Sequence, residues 1–126
     1  MDFSLSSEQK LIKKTAADFA SDELLKEAIE RDQKKIWPAD QISKMAELGF
    51  MGMMVDEKWN GSGLDTISYT IVMEEIARVD ASAAVVMSVN NSLVCYLLEK
   101  YGSDFVKNKY LKKKNSIRIK SVHSSP

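Results

Sequence analysis

Ile71-Val-Met-Glu-Glu-Ile-Ala-Arg-Val-Asp-Ala-Ser-Ala-Ala-Val-Val-Met-Ser-Val-Asn-Asn-Ser-Leu93 decides how this chain folds. The stretch reads as two helices joined at Asp80. Before the joint, Ile67, Ile71, Val72, Ile76 and Val79 recur at helical spacing. After it, an apolar helix runs from Ala81 to about Tyr101 and stops at Gly102, with one face reading Val86, Val89, Asn90, Leu93, Leu97. A helix this apolar is expected to be buried nearly all round. In so small a domain that predicts one side turned toward something outside it: a further domain, a ligand or a second subunit.

Working outward, every neighbouring segment is helical in pattern. Ser6 with Gln9 predicts a capping box, followed by Ile12, Ala16, Phe19 and Ala20. Asp22 offers a second N-cap, with Leu24, Leu25, Ala28 and Ile29 continuing an apolar face to about Lys35. Trp37-Pro38 breaks the chain, and Pro38 suits the first turn of the next helix, which buries Ile42, Met45 and Ala46 and stops at Gly49. The run 50–55 predicts a buried extended connection. Residues 56–63 read as a turn-rich loop in which Asn60, Gly61 and Gly63 tolerate positive φ. Asp65 can cap the helix that follows, and Ser103 or Asp104 opens a last short one carrying Phe105, Val106 and Tyr110. With no β-alternation and no internal repeat, the expectation is all-α: an antiparallel helical domain of about six helices.

Composition excludes several classes. Lys+Arg and Asp+Glu balance at 18 each, which argues against a nucleic-acid binder. No run reaches the ~20 consecutive apolar residues of a membrane span, and the start lacks the pattern of a signal or transit peptide; the expectation is a cytoplasmic protein without nucleic-acid or membrane partners. A mature organellar form would read the same. Cys95 is the only cysteine and His123 the only histidine, so neither an internal disulfide nor a zinc site can form, and Cys95 reads as a small core residue. Glu74 and Glu75 resemble an acid–base pair, but adjacent helical residues do not face each other. Glu75 with Arg78 reads as a structural ion pair, and Glu30-Arg31-Asp32 as a solvated helix face. Seven basic residues from Lys107 to Lys120, with no acid among them, mark a basic end.

Five blocks in order carry a family resemblance: Met1-Asp-Phe-Ser-Leu-Ser-Ser-Glu-Gln9, Ile42-Ser-Lys-Met-Ala-Glu-Leu-Gly-Phe-Met-Gly52, Asn60-Gly-Ser-Gly-Leu-Asp65, the helix pair from Tyr69 to Leu93, and Tyr101-Gly-Ser with Lys109-Tyr-Leu111. Over residues 1–111 the chain resembles the N-terminal helical domain of flavin-dependent acyl-CoA dehydrogenases of the short-chain (butyryl) type. The resemblance implies an enzyme that removes two hydrogens from the α and β carbons of an acyl-CoA thioester, the α proton to a glutamate and the β hydride to FAD. The flavin-side loop belongs to a middle β-domain and the glutamate to a C-terminal bundle. Neither is matched here, so no catalytic, cofactor-binding or metal residue is assigned, and the chain alone is expected to retain no FAD and no activity.

What the resemblance does assign is part of the acyl pocket, on the longest helix: Val86, Val89, Asn90 and Leu93, the closed end of a short acyl tunnel. Ordinary core would show the same periodicity. Trp59-Asn60 stands where the family usually shows Tyr-Gly, and Asp56 where a proline is common. After Leu111 the family's pattern is lost, and 112–126 is expected to be a basic, disordered tail left by a frameshift or premature stop. Two functions follow as expectations. One is an acyl-pocket domain of such an enzyme, with acyl-CoA as its ligand. The other is a helical module without catalysis that self-associates, as a homo-oligomer, through the apolar face; a chain with no selected role is a third outcome.

Overall fold

The computed structural model describes residues 3–112, which form five helical rods and, among them, no strand. The expected tail over 112–126 lies, past Lys112, outside the described residues. Helix α1 covers 7–34, α2 is Ala39–Glu47, α3 Thr66–Val79, α4 Ala81–Tyr101 and α5 104–111.

The count falls from about six to five because Asp22 does not start a helix. The backbone runs on through a widened π turn at Ala20–Leu24, closed by Leu25 N–H on Ala20 O, and bends only at Glu27 (φ −125°). Asp22 stays exposed on that turn. The other boundaries follow local chemistry. Ser6 Oγ accepts from Gln9 N–H at 3.1 Å while Gln9 Oε1 accepts from Ser6 N–H at 3.0 Å, a reciprocal cap worth about 1 kcal/mol. Asp65 caps α3 through Ser68 N–H, and Ser103, rather than Asp104, caps α5 through Val106 N–H. Gly49 takes φ +80° just past α2, the left-handed stop that glycine adopts without a Cβ clash.

The core lies where α1, α2, α3 and the first half of α4 meet. Ala16, Phe19, Leu24, Ile42, Met45, Val72, Ile76, Ala83 and Met87 are buried together, and each large side chain removed from water contributes about 1.5–3 kcal/mol. Phe19 meets Phe50 edge to face, centroids 6.1 Å apart. Leu25 and Ile29, expected on the same face as Leu24, are instead exposed, because the π turn and the bend rotate them off the core. The run 50–55 is buried as expected but not extended: Phe50–Gly52 is a 3-10 turn. Loop 61–64 doubles back along it, with Ser62 N–H on Gly52 O, Gly63 N–H on Val55 O and Leu64 N–H on Met53 O, all at 2.8–2.9 Å. A Cβ at Gly61 would lie 2.0 Å from Val55 O, so the close approach, rather than positive φ, demands glycine there; Asn60 supplies the left-handed turn (φ 62°). A second small cluster of Val55, Cys95 and Leu111 buries the cysteine and ties α5 to α4.

Candidate functional site

Asp80 makes the α3–α4 elbow. Its extended backbone (φ −143°, ψ 97°) ends α3, and its Oδ1 accepts from Ala83 N–H at 2.9 Å to open α4. Its Oδ2 accepts from Arg31 Nη2 at 2.8 Å, and the same Nη2 donates to Leu24 O at 2.8 Å. Arg31 is 6% exposed, so of the solvated face read from Glu30-Arg31-Asp32 only Glu30 and Asp32 stand exposed and Arg31 is corrected. The bend at Glu27 turns Arg31 inward, and a buried acid 49 residues away receives it. Glu75 and Arg78 pair as the spacing predicts, with Lys13 Nζ 3.6 Å from the other Glu75 oxygen. That buried carboxylate therefore bridges α1 and α3.

Beyond the elbow α4 presents two unlike sides. Facing inward, Asn90 donates to Met51 O at 2.5 Å, and Asn91 donates to Phe50 O at 2.8 Å and Met87 O at 3.0 Å while accepting Met53 N–H at 2.8 Å. Facing outward, Val85, Val89, Leu93 and Leu97 stand open at i, i+4, i+8 and i+12, with Val89 43% and Leu93 55% exposed, and Tyr96 and Tyr101 beside them. Lys100 Nζ donates to Tyr96 Oη at 2.8 Å, which holds the ammonium above its ordinary pKa at the far end of this row.

The four residues assigned from the sequence thus divide. Val89 and Leu93 share the open row. Val86 is half-buried against the core and lines a 280 Å³ pocket with Arg31, Trp37 and Ser82. Asn90 is turned inside. Val85, at 61% exposure, lies off the stripe that begins at Val86 and one i+4 step before Val89 on the open row. Asn91 also went unread, although two consecutive amides in so apolar a helix are a signal, since a buried amide needs partners.

Chemically the open row is a run of methyl groups. It can hold a hydrocarbon chain or another apolar surface and can neither donate nor take a proton. Among the described residues no three His, Cys, Asp or Glu side chains gather as metal ligands. The donor set of the row does not suit a dinucleotide either: the main-chain N–H groups in mid-helix are engaged, and the side chains offer nothing to a pyrophosphate. FAD does not fit these residues on their own.

Residues 6–117 match the family model described as acyl-CoA dehydrogenase, N-terminal domain. The chain is 40% identical over 107 residues to the rat mitochondrial short-chain specific acyl-CoA dehydrogenase, covering 85% of this chain and 26% of that protein. It is 34% identical over 111 residues to the short-chain specific acyl-CoA dehydrogenase of Clostridium acetobutylicum, covering 88% and 29%. The structure of butyryl-CoA dehydrogenase from Megasphaera elsdenii superposes with a TM-score of 0.82 at 34% identity, over 92% of this chain and 31% of that one. The chain spans about a quarter of the length of the curated relatives it matches (26% for the rat protein).

Proposed function

This chain belongs to the acyl-CoA dehydrogenase family through its N-terminal domain, and from that premise we propose that its α4 row forms the apolar wall of a short acyl-CoA site. The observation that carries this reading is the exposure of Val85, Val89, Leu93 and Leu97 on a helix whose other side is fully engaged. The ligand is the hydrocarbon end of a short acyl-CoA thioester. In the intact family enzyme FAD, bound by other domains, supplies the hydride acceptor for α,β-dehydrogenation. This chain's residues exclude water from the acyl chain, orient it and limit its length. Branched valines at 85 and 89 shorten the space, with Val86 and Asn90 behind them as support. The chain alone holds no FAD and oxidises no thioester.

Two experiments test this. Purified full-length chain, incubated with FAD and butyryl-CoA, is expected to stay colourless after gel filtration; stoichiometric bound FAD with thioester oxidation would overturn the claim of inactivity. Fused to the remaining domains of the Megasphaera butyryl-CoA dehydrogenase, the chain is expected to support oxidation of C4 substrates. Val89→Ala should then raise kcat/KM for C6 relative to C4 by about fourfold per methylene admitted, from ~0.8 kcal/mol per CH₂. An unchanged ratio, or one moving toward shorter chains, would remove the wall reading.

A second reading is favoured by the same exposed row: α4 docks on itself in another copy, and the domain is a self-associating module without catalysis. Concentration-dependent dimerisation in sedimentation, lost in Leu93→Lys, would support it. A monomer at every concentration would eliminate it.

A further inference from the structure

The outward row of α4 runs across a segment that is not regular α-helix. In an α-helix successive residues turn by about 100°, so Val85 and Leu93 would point about 80° apart, and Asn90 and Asn91 about 100° apart. Instead α4 widens over Val89–Cys95, closed by Tyr96 N–H on Asn91 O, one residue beyond the α pattern. An additional residue per turn lowers that divergence, and Val85, Val89 and Leu93 are all exposed. It also lets two adjacent amides face one buried turn, each less than a tenth exposed.

π segments are rare because their geometry is poorer than that of the α-helix, and this one is flanked by buried amide contacts. Asn91 Nδ2 donates to Phe50 O and Met87 O, and its Oδ1 takes Met53 N–H; Asn90 Nδ2 donates to Met51 O and lies 3.5 Å from Cys95 Sγ. The turn at 50–53 thereby finds partners for two carbonyls, Phe50 O and Met51 O, and for the N–H of Met53. Straightening α4 would swing one of the two amides away and leave buried backbone groups unpaired, which is costly.

We propose that Asn91, with Asn90, is a positioning residue: by clamping the 50–53 turn it holds α4 in the widened register and so aligns Val85, Val89 and Leu93 into one wall. The role in acyl selection rests on the wall reading above; the register itself does not. Packing of Cys95 on Val55 and Leu111 is the rival cause of the widening.

Thiol labelling of the full-length chain separates the two. Leu93→Cys and Val94→Cys are made singly, each with native Cys95, fully buried, as the slow internal control. In the parent, the thiol at 93 labels with maleimide faster than the thiol at 94, which is only partly exposed. In an Asn91→Leu background the 93-to-94 rate ratio is expected to fall at least tenfold as the helix reverts toward α geometry. An unchanged ratio in a folded Asn91→Leu chain would assign the register to the cysteine cluster and overturn the proposal. If Asn91→Leu does not fold by circular dichroism, Asn91→Asp is scored by the same ratio; it keeps the acceptor for Met53 N–H and loses both donors. Loss of fold in both variants would also overturn the proposal, leaving Asn91 as plain core. None of these readouts involves acyl binding. A failed wall reading therefore shows in the chain-length preference of the fusion enzyme while the labelling ratio still shifts.

Discussion

Removing the carboxylate at the elbow should be the most damaging single polar change in this domain. Asp80→Ala deletes two things at once. The cap on Ala83 N–H is worth about 1 kcal/mol. The partner of Arg31 is lost as well, and breaking a buried pair leaves an uncompensated charge at a cost of about 3–5 kcal/mol. Arg31 Nε and Nη1 already lack hydrogen-bond partners among the described residues. Glu27, 3.6 Å from Nη1 but 64% exposed, can offset only a fraction of the loss, since exposed pairs contribute about 0–1 kcal/mol. The sum is about 4 kcal/mol, a large share of the ~5–15 kcal/mol that holds a domain together. Urea unfolding followed by circular dichroism reads it directly, and a thermal scan should show a fall of roughly 15–20 °C, at about 4 °C per kcal/mol. The decisive comparison is the double variant Arg31→Leu/Asp80→Asn, which removes the buried charge and keeps a capping oxygen. It should recover at least about 2 kcal/mol relative to Asp80→Ala, as apolar replacement of buried ion pairs commonly does. An Asp80→Ala cost under about 1.5 kcal/mol, or a double variant no better than the single, would refute the reasoning.

Other outcomes follow from the same structure. Gly61→Ala forces a Cβ to within 2.0 Å of Val55 O, so 61–64 must lift off 52–55; a loss of about 1–3 kcal/mol in chemical denaturation is expected, as for overpacking elsewhere, and a neutral result would show that the loop is free to shift. The Asp65 carboxylate is held below the usual carboxylate range, chiefly by the Ser68 backbone N–H. Its stabilising effect is therefore present above its ordinary pKa and is lost as pH falls through the lowered one, so Asp65→Asn should flatten the stability–pH curve below about pH 4 and leave its slope at pH 6–8 untouched. Leu93→Lys, on the open row, should change monomer stability by less than about 0.5 kcal/mol; a larger loss by denaturation would mean that the row is already covered.

Most of the helical framework could be read from residue order because its signals are local. The Ser6 and Asp65 caps, the stop at Gly49, the left-handed turn at Asn60 and the break at Trp37-Pro38 each depend on a few neighbouring atoms. The joint at Asp80 between two apolar periodic runs was legible on the same terms, as was burial of Cys95 within an apolar stretch. Less of the candidate site was legible. Periodicity groups Val86, Val89, Asn90 and Leu93 on one stripe, whereas the structure leaves Val89 and Leu93 exposed beside Val85, half-buries Val86 and buries Asn90.

By itself, then, the order of residues determined a helical domain of this family, most of its helix ends and a long apolar helix with an open side, since hydrophobic period and capping are properties of short segments. Only tertiary structure decided which way three polar residues point. Arg31 is buried against Asp80, far away in sequence, and Asn90 and Asn91 turn inward onto the carbonyls of Met51 and Phe50. Those partners lie far away in sequence, and no local pattern contains them, because a buried polar group is placed by whatever can pair with it.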